Sequence, residues 1–304
     1  MTTLIAVLSI YIFILMGYIA KKIYKEQIDE KTLILISIYF LQPMLTFWGL
    51  TRAPIDFNLI YTPFLYFIII TISLVILVVS GNYLFKDKKE NSIFIATSLI
   101  GNTGNLGIPL GIALFGESSV PYTSIINIAN IFFIYTVGIY FFARSSYSFK
   151  DSLLQMVKIP IIWFAILALI YNYLQLPINK EFDKIVQMGA YATIVLQLII
   201  FGTYLAKTSI KNINYKLSLS TSFAKLIFVP IIGVIVLSLS TLPDQYASIL
   251  MVSLLVPLAV NNVNIAALYD CKPYDVTSVV LVSTAIFLAI VYFNISIINY
   301  IFSY

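Results

Sequence analysis

Two short stretches hold the side chains best suited to grip a ligand. They are Gly101-Asn102-Thr103-Gly104-Asn105-Leu106-Gly107-Ile108-Pro109 and Val256-Pro257-Leu258-Ala259-Val260-Asn261-Asn262-Val263-Asn264. Each interrupts an apolar run long enough to cross a bilayer. An amide side chain donates hydrogen bonds to an anion without a permanent counter-charge. Asn102, Asn105, Asn261, Asn262 and Asn264 therefore suit a weak carboxylate site, from which the ligand can also leave. Gly104, Gly107, Pro109 and Pro257 are the helix breakers that shape the backbone between them. In hydrocarbon every freed N–H or C=O is expensive, so broken helix survives at membrane depth only where it lines a cavity or is buried in protein. The half-helix that resumes after each break adds a partial positive charge and free N–H donors. Two interrupted segments at corresponding places in two halves point to a transporter's binding site. The competing reading of any single asparagine is that it satisfies carbonyls released by the prolines.

Other chemistries find less support. Histidine is absent and Cys271 is the sole cysteine, which excludes disulfides within the chain and His/Cys metal sites. No Asp, Glu or His lies deep within an apolar segment, so a carboxylate proton relay is disfavoured. An intramembrane enzyme would need paired aspartates, a metal-ligand cluster or a Ser/His dyad, and the sequence offers none. No cofactor or metal is expected. The Gly101/Gly104/Gly107 spacing is not a nucleotide loop, since no strand precedes it. Gly107 and Gly111 form a small-xxx-small pair suited to close helix packing. Asn127, Asn130, Ser283 and Thr284 are expected to bond between helices or to face the cavity. Lys225 is the one charge inside an apolar segment, about two turns from its end, and is expected to snorkel to the interface.

The elements that must position these residues are helices in a bilayer. The chain has 304 residues, 61% hydrophobic and 10% charged, against about 25% charged in soluble domains. The net charge of +5 is spread over short loops and is no nucleic-acid signal. Ten apolar segments run at about 3–20, 32–51, 60–84, 91–116, 121–143, 156–176, 184–206, 217–240, 246–269 and 275–302. The first lacks a basic leader and a cleavage site, so it reads as a retained span. Fourteen of the 18 Lys and Arg residues fall in odd-numbered loops, while even loops hold only Arg52, Lys180 and Lys184. The positive-inside rule puts odd loops in the cytoplasm and both termini outside. Aromatics near segment ends (Tyr18, Trp48, Tyr61, Tyr83, Tyr304) read as an interfacial belt.

The polar loop between Arg144 and Lys158 splits the segments five and five, so the second half enters the membrane inverted. An offset of 152 residues places Pro121 on Pro273, Asn105 on Pro257 and Pro109 on Asn261. The expected fold is an all-α integral membrane protein of ten transmembrane helices, two inverted five-helix repeats with broken crossover helices four and nine. Residues 1–143 form the first repeat, 144–155 a cytoplasmic linker and 156–304 the second repeat.

Two signatures carry a family resemblance. The first is Asn102-Thr103-Gly104-Asn105-Leu106-Gly107-Ile108-Pro109-Leu110 with Leu114-Phe115-Gly116-Glu117. The second is Pro257-Leu258-Ala259-Val260-Asn261 with Ala266, Tyr269 and Leu281-Val282-Ser283-Thr284. Phe40-Leu41-Gln42-Pro43, Lys225-Leu226 and Pro230 also fit. Together they resemble the auxin efflux carrier family, within the bile-acid/arsenite/riboflavin transporter superfamily. The resemblance implies a scaffold (1–58 with 156–210) and a transport unit (59–143 with 217–304) whose broken helices cross. It implies a secondary transporter of small organic anions, such as malonate, malate or auxin-like acids, in the cell membrane of a bacterium. A homodimer through the scaffold helices is also in keeping. Val195 and Gln197 depart from the family pattern, which often places a proline shortly before the glycine at Gly202. The alternative is a membrane receptor that binds the same ligands without moving them.

Overall fold

The structure, a computed structural model, describes residues 2–52, 54–143, 157–158, 160–207 and 213–302, without the side chains of residues 2–10, Lys207, Asn264 and Asn299. The linker expected at 144–155 lies outside the described residues. Those described form helices and no strand. Helices α1 (Thr2–Tyr24), α2 (Glu30–Leu50), α3 (Phe57–Leu84) and α4 (Lys88–Leu99) lead to α5 (Thr103–Phe115) and α6 (Glu117–Ala143). Then come α7 (Pro160–Tyr173), α8 (Lys180–Lys207), α9 (Tyr215–Ser238), α10 (Asp244–Leu255), α11 (Asn261–Leu268) and α12 (Pro273–Ile301). Among the described residues, α2, α3, α6, α8, α9 and α12 are long and apolar enough to cross a membrane; α5 and α7 are shorter apolar helices.

Local sequence explains where the helices begin. The side chains of Asp29, Asp56, Asp87 and Asn214 accept from amides in the first turns of α2, α3, α4 and α9. Those amides have no intrahelical acceptor, so each cap satisfies a donor that water or lipid would otherwise face. Among the described residues, three prolines accompany three of the π turns inside helices; the fourth, Ile134–Gly138 in α6, has none. Pro43, Pro109 and Pro230 each follow by two residues a π turn, at Ser37–Leu41, Thr103–Gly107 and Ala224–Phe228. A proline lacks an N–H and its ring pushes away the carbonyl four residues back, so the preceding turn widens to bond five residues back. The amides of Gln42, Ile108 and Val229 donate in that way to Ser37, Thr103 and Ala224.

Two apolar cores follow from the packing. One joins α2, α7 and α8 through Leu45, Trp48, Leu50, Ala168, Val186 and Ala190. The other gathers α3, α4, α6, α9, α10 and α12 around Ile69, Ile93, Ile126, Leu250, Val279 and Phe287. Helix α1 lies on α8 at backbone distance, because a Cβ on Gly202 would strike the carbonyl of Ile14. Trp48 is buried rather than interfacial: it is 1% exposed, packs 5.5 Å from the Tyr191 ring and lies 5.0 Å from the Arg52 guanidinium. Arg52 also reaches Asp183 at 2.8 Å, which ties the ends of α2 and α8 together. Tyr83, by contrast, is 87% exposed, as an interfacial residue should be. At the opposite end, Lys272 bridges Asp87 (3.2 Å) and Glu90 (3.1 Å), and Asn214 donates to Glu90 at 3.2 Å. The starts of α4, α9 and α12 are thereby fastened to one another.

Candidate functional site: a cavity at the crossing of two broken helices

Helix α4 stops at Leu99 and α10 at Leu255, and the chain leaves both as short extended segments. These segments meet. Gly101 and Leu258 form an isolated antiparallel bridge. The Asn102 amide donates to the Pro257 carbonyl at 2.9 Å, and the Ala259 amide to Ile100 at 3.1 Å. Each break thus satisfies the backbone groups of the other, which is how irregular backbone survives inside this core. Side chains complete the knot. Asn130 donates to the Gly101 carbonyl at 2.9 Å and to Thr103 Oγ1 at 3.0 Å, while its own oxygen accepts from the Tyr66 hydroxyl at 3.0 Å. Thr103 in turn donates to Asn127 at 2.9 Å.

A cavity of about 120 Å³ opens beside this crossing. Gly101, Asn102, Thr103, Gly104 and Asn105 line it from one break, and Ala259, Val260 and Asn261 from the other. Neighbouring helices add Gln42 of α2, Asn127, Asn130 and Tyr135 of α6, and Tyr204 of α8. Among the described residues no charged side chain lines it. What it offers is hydrogen-bond donors. The Asn102 Nδ2 is buried with no protein partner. Thr103, Gly104 and Asn105 open α5, whose first amides have no acceptor within the helix. Asn261 opens α11 in the same manner. Asn105 and Asn261 are half-buried, facing accessible space, whereas Asn102 is 4% exposed. A carboxylate placed here would receive amide and helix-terminal donors without meeting a fixed counter-ion.

The structure brings Asn102, Asn105, Asn261 and Gly104 to the cavity wall. Gly104 approaches Asn127 so closely that a Cβ would sit 3.0 Å from its Oδ1. Gly107, Pro109 and Pro257 stand back from the wall and shape the backbone. A Cβ on Gly107 would meet only ordinary contacts at 3.7 Å, so it is Gly111, 2.7 Å from Thr123 by the same measure, that needs to be small. Asn262 turns away from the cavity. It is fully buried and donates to the Ile100 carbonyl at 3.3 Å, the carbonyl-satisfying role. The Asn264 side chain lies outside the described residues. Ser283 and Thr284 bond back to Val280 within α12 and take no part.

Lys225 departs most from expectation. It does not snorkel: it is 1% exposed. Its Nζ lies against Gly101, 2.8 Å from where a Cβ would stand. The Pro230-driven π turn places Lys225 inside the bundle rather than along a regular helical face. Gln197 is also 1% exposed, and neither polar atom of its amide has a protein partner. Tyr66 joins the site without any sequence motif to single it out, and Thr103 joins it from inside the first signature, where its hydroxyl drew no separate reading. The local signal for their network is the i, i+3 pairing of Asn127 and Asn130 on an otherwise apolar helix.

A family described as "Membrane transport protein" matches residues 2–295. The chain belongs to that family. It is the auxin efflux carrier family that the two broken signatures resemble, and this chain is a transporter of the membrane. A similar protein is an uncharacterized transporter of Methanocaldococcus jannaschii, 24% identical over 295 residues, covering 94% of this chain and 95% of the relative. In this membrane transport protein Asn102, Thr103, Asn130 and Asn262 are buried polar residues that bond across the crossing of α4–α5 with α10–α11 or beside it.

Proposed function

We propose that this transporter is a secondary carrier for small organic anions, short mono- and dicarboxylates or auxin-like acids, working by alternating access around the crossover cavity. The observation that carries the proposal is a cavity where, among the described residues, no charged side chain lines the wall and the buried Asn102 Nδ2 has no protein partner beside two half-exposed amides. A buried donor without an acceptor is costly, and an anionic ligand is what removes the cost.

The carrier consists of ten spans in two inverted repeats, with α4–α5 and α10–α11 as broken spans four and nine. Residues 1–58 with 156–210 are the scaffold, and 59–143 with 217–304 the moving unit. Odd loops face the cytoplasm and both termini lie outside. With that orientation the cavity faces inward. Ile34 of α2, Ile161 of α7, Tyr135 of α6 and Tyr204 of α8 line it, and all lie toward the helix ends that meet odd loops. At the other end Tyr191 of α8 donates to Glu117 of α6, a contact between scaffold and moving unit. An anion moving outward down about 100 mV gains about 2.3 kcal/mol per charge, which favours export in a cell membrane.

Counterflow in proteoliposomes tests the proposal. Vesicles loaded with unlabelled malonate, malate or indole-3-acetate should accumulate the matching labelled acid, and Asn105→Ala or Asn261→Ala should lose most of it. Ligand binding without counterflow by inserted protein would favour the receptor alternative. Unchanged counterflow in both mutants would remove the crossover from the site.

A further inference from the structure

Lys225 is a cation at the centre of the crossing, and its surroundings say what it faces. Its Nζ packs on Gly101; a Cβ there would also touch Val256 at 3.2 Å. Gly101 stands two residues past the end of α4, and Val256 directly past the end of α10. The ammonium therefore stands where two half-helices present their C-terminal ends. The last carbonyls of a helix carry partial negative charge and have no intrahelical donors. Pro257, lacking an N–H, withholds from α10 one donor that a continuing helix would supply. Among the described residues no carboxylate forms an ion pair with Lys225. In transporters with discontinuous helices, unwound carbonyls and half-helix C-terminal ends are what coordinate a coupling cation.

We propose that the Lys225 side chain is a built-in cation at the crossing, holding the place against the two half-helix C-termini that a bound monovalent cation would otherwise take. The carrier needs no sodium for this reason. Lys225 is a positioning residue: it lies behind the Gly101 backbone, which itself lines the cavity, and it acts by keeping the two breaks closed on one another. Removing the side chain should leave a pocket that an external cation can fill. Removing only its charge, with the space kept filled, should not.

The flux arm of the test rests on the carrier reading above; the stability arm does not. Wild type, Lys225→Ala and Lys225→Met are compared in choline, sodium and methylammonium buffers, by labelled-malonate counterflow and by melting temperature in detergent without malonate. Wild type should be indifferent to the cation in both readouts. Lys225→Ala should lose about tenfold in choline and recover most of it, with a raised melting temperature, in sodium or methylammonium. Lys225→Met should be impaired in all three buffers and gain no thermal stability from either cation. A sodium requirement in wild type would overturn the proposal. So would full flux in Lys225→Met, or a Lys225→Ala protein that neither cation restores or stabilises. If wild type moves no malonate, the anion reading is what fails for that acid, and the melting temperatures still decide the role of Lys225. If Lys225→Ala does not fold in any buffer, the proposal fails as well.

Discussion

Asn105 and Asn262 belong to the two broken segments, yet their side chains face different tasks. Asn105 lines the cavity half-buried, while Asn262 is sealed against the Ile100 carbonyl. A hydrogen bond to a charged group is worth about 1.5–3 kcal/mol, and one between neutral groups about 0.5–1.5 kcal/mol. Asn105→Ala should therefore raise the KM for the transported anion about ten- to hundredfold with little change in melting temperature. Asn262→Ala should do the reverse, lowering the melting temperature while folded protein keeps most of its affinity. Uptake kinetics and thermal melts on the same preparations separate the two. The sequence showed both asparagines but not this division of labour. Neighbours along a helix differ by about 100° in direction, and only the partner segment decides which side is cavity. Lys225 was harder still, because the expectation assumed a regular helix from which a long side chain could climb to the interface. The π turn ahead of Pro230 and the small Gly101 opposite it leave the ammonium inside.

At the scale of the helices, close approach is set by residues with no side chain to spare. Gly202 of α8 lies against the Ile14 carbonyl of α1, and Gly17 lies against the Ile199 carbonyl. Gly202→Leu should force the pair apart, giving little folded protein on size-exclusion chromatography, whereas Ile231→Leu on an exposed face of α9 should be neutral. The fastening of α4 to α12 has a pH signature. The Glu90 amide, outweighing partial burial, and then Lys272 hold the Asp87 carboxyl below its ordinary value. A lowered carboxyl contributes stability above its unfolded value of about 3.9 and loses it as the pH falls through the folded value. Asp87→Asn keeps the cap but not the charge. Its melting temperature should fall below that of wild type near neutral pH and converge with it below about pH 4. The two breaks were legible because Gly, Pro and Asn clustered inside an apolar run seldom belong to an unbroken helix. Their register was less so. Leu99 and Leu255 end corresponding half-helices, one helical turn away from the offset of 152 that aligns Asn105 with Pro257. Matching an asparagine to a proline aligns residue types, whereas the chain repeats the place where the helix ends.

For the whole molecule, composition alone settled the solvent: 61% hydrophobic residues over 304 positions describe a membrane protein. The burial of Trp48 shows where that inference ran out, since an aromatic at a helix end serves a protein interface as readily as a lipid one. On the proposed function, the molecule is a carrier whose cavity opens toward the odd loops, with the Tyr191–Glu117 contact joining scaffold and moving unit at the other end. The central claim is that the neutral crossover cavity binds the anion that is moved. The most direct test is solid-supported membrane electrophysiology on proteoliposomes, challenged with short mono- and dicarboxylates in sodium-free buffer at symmetric pH. A saturable current for at least one acid, shifted to about ten- to hundredfold higher concentration in Asn105→Ala while the mutant remains inserted and folded, is the predicted result. A current of equal size and affinity in Asn105→Ala and Asn261→Ala would contradict the claim and place the anion's path elsewhere.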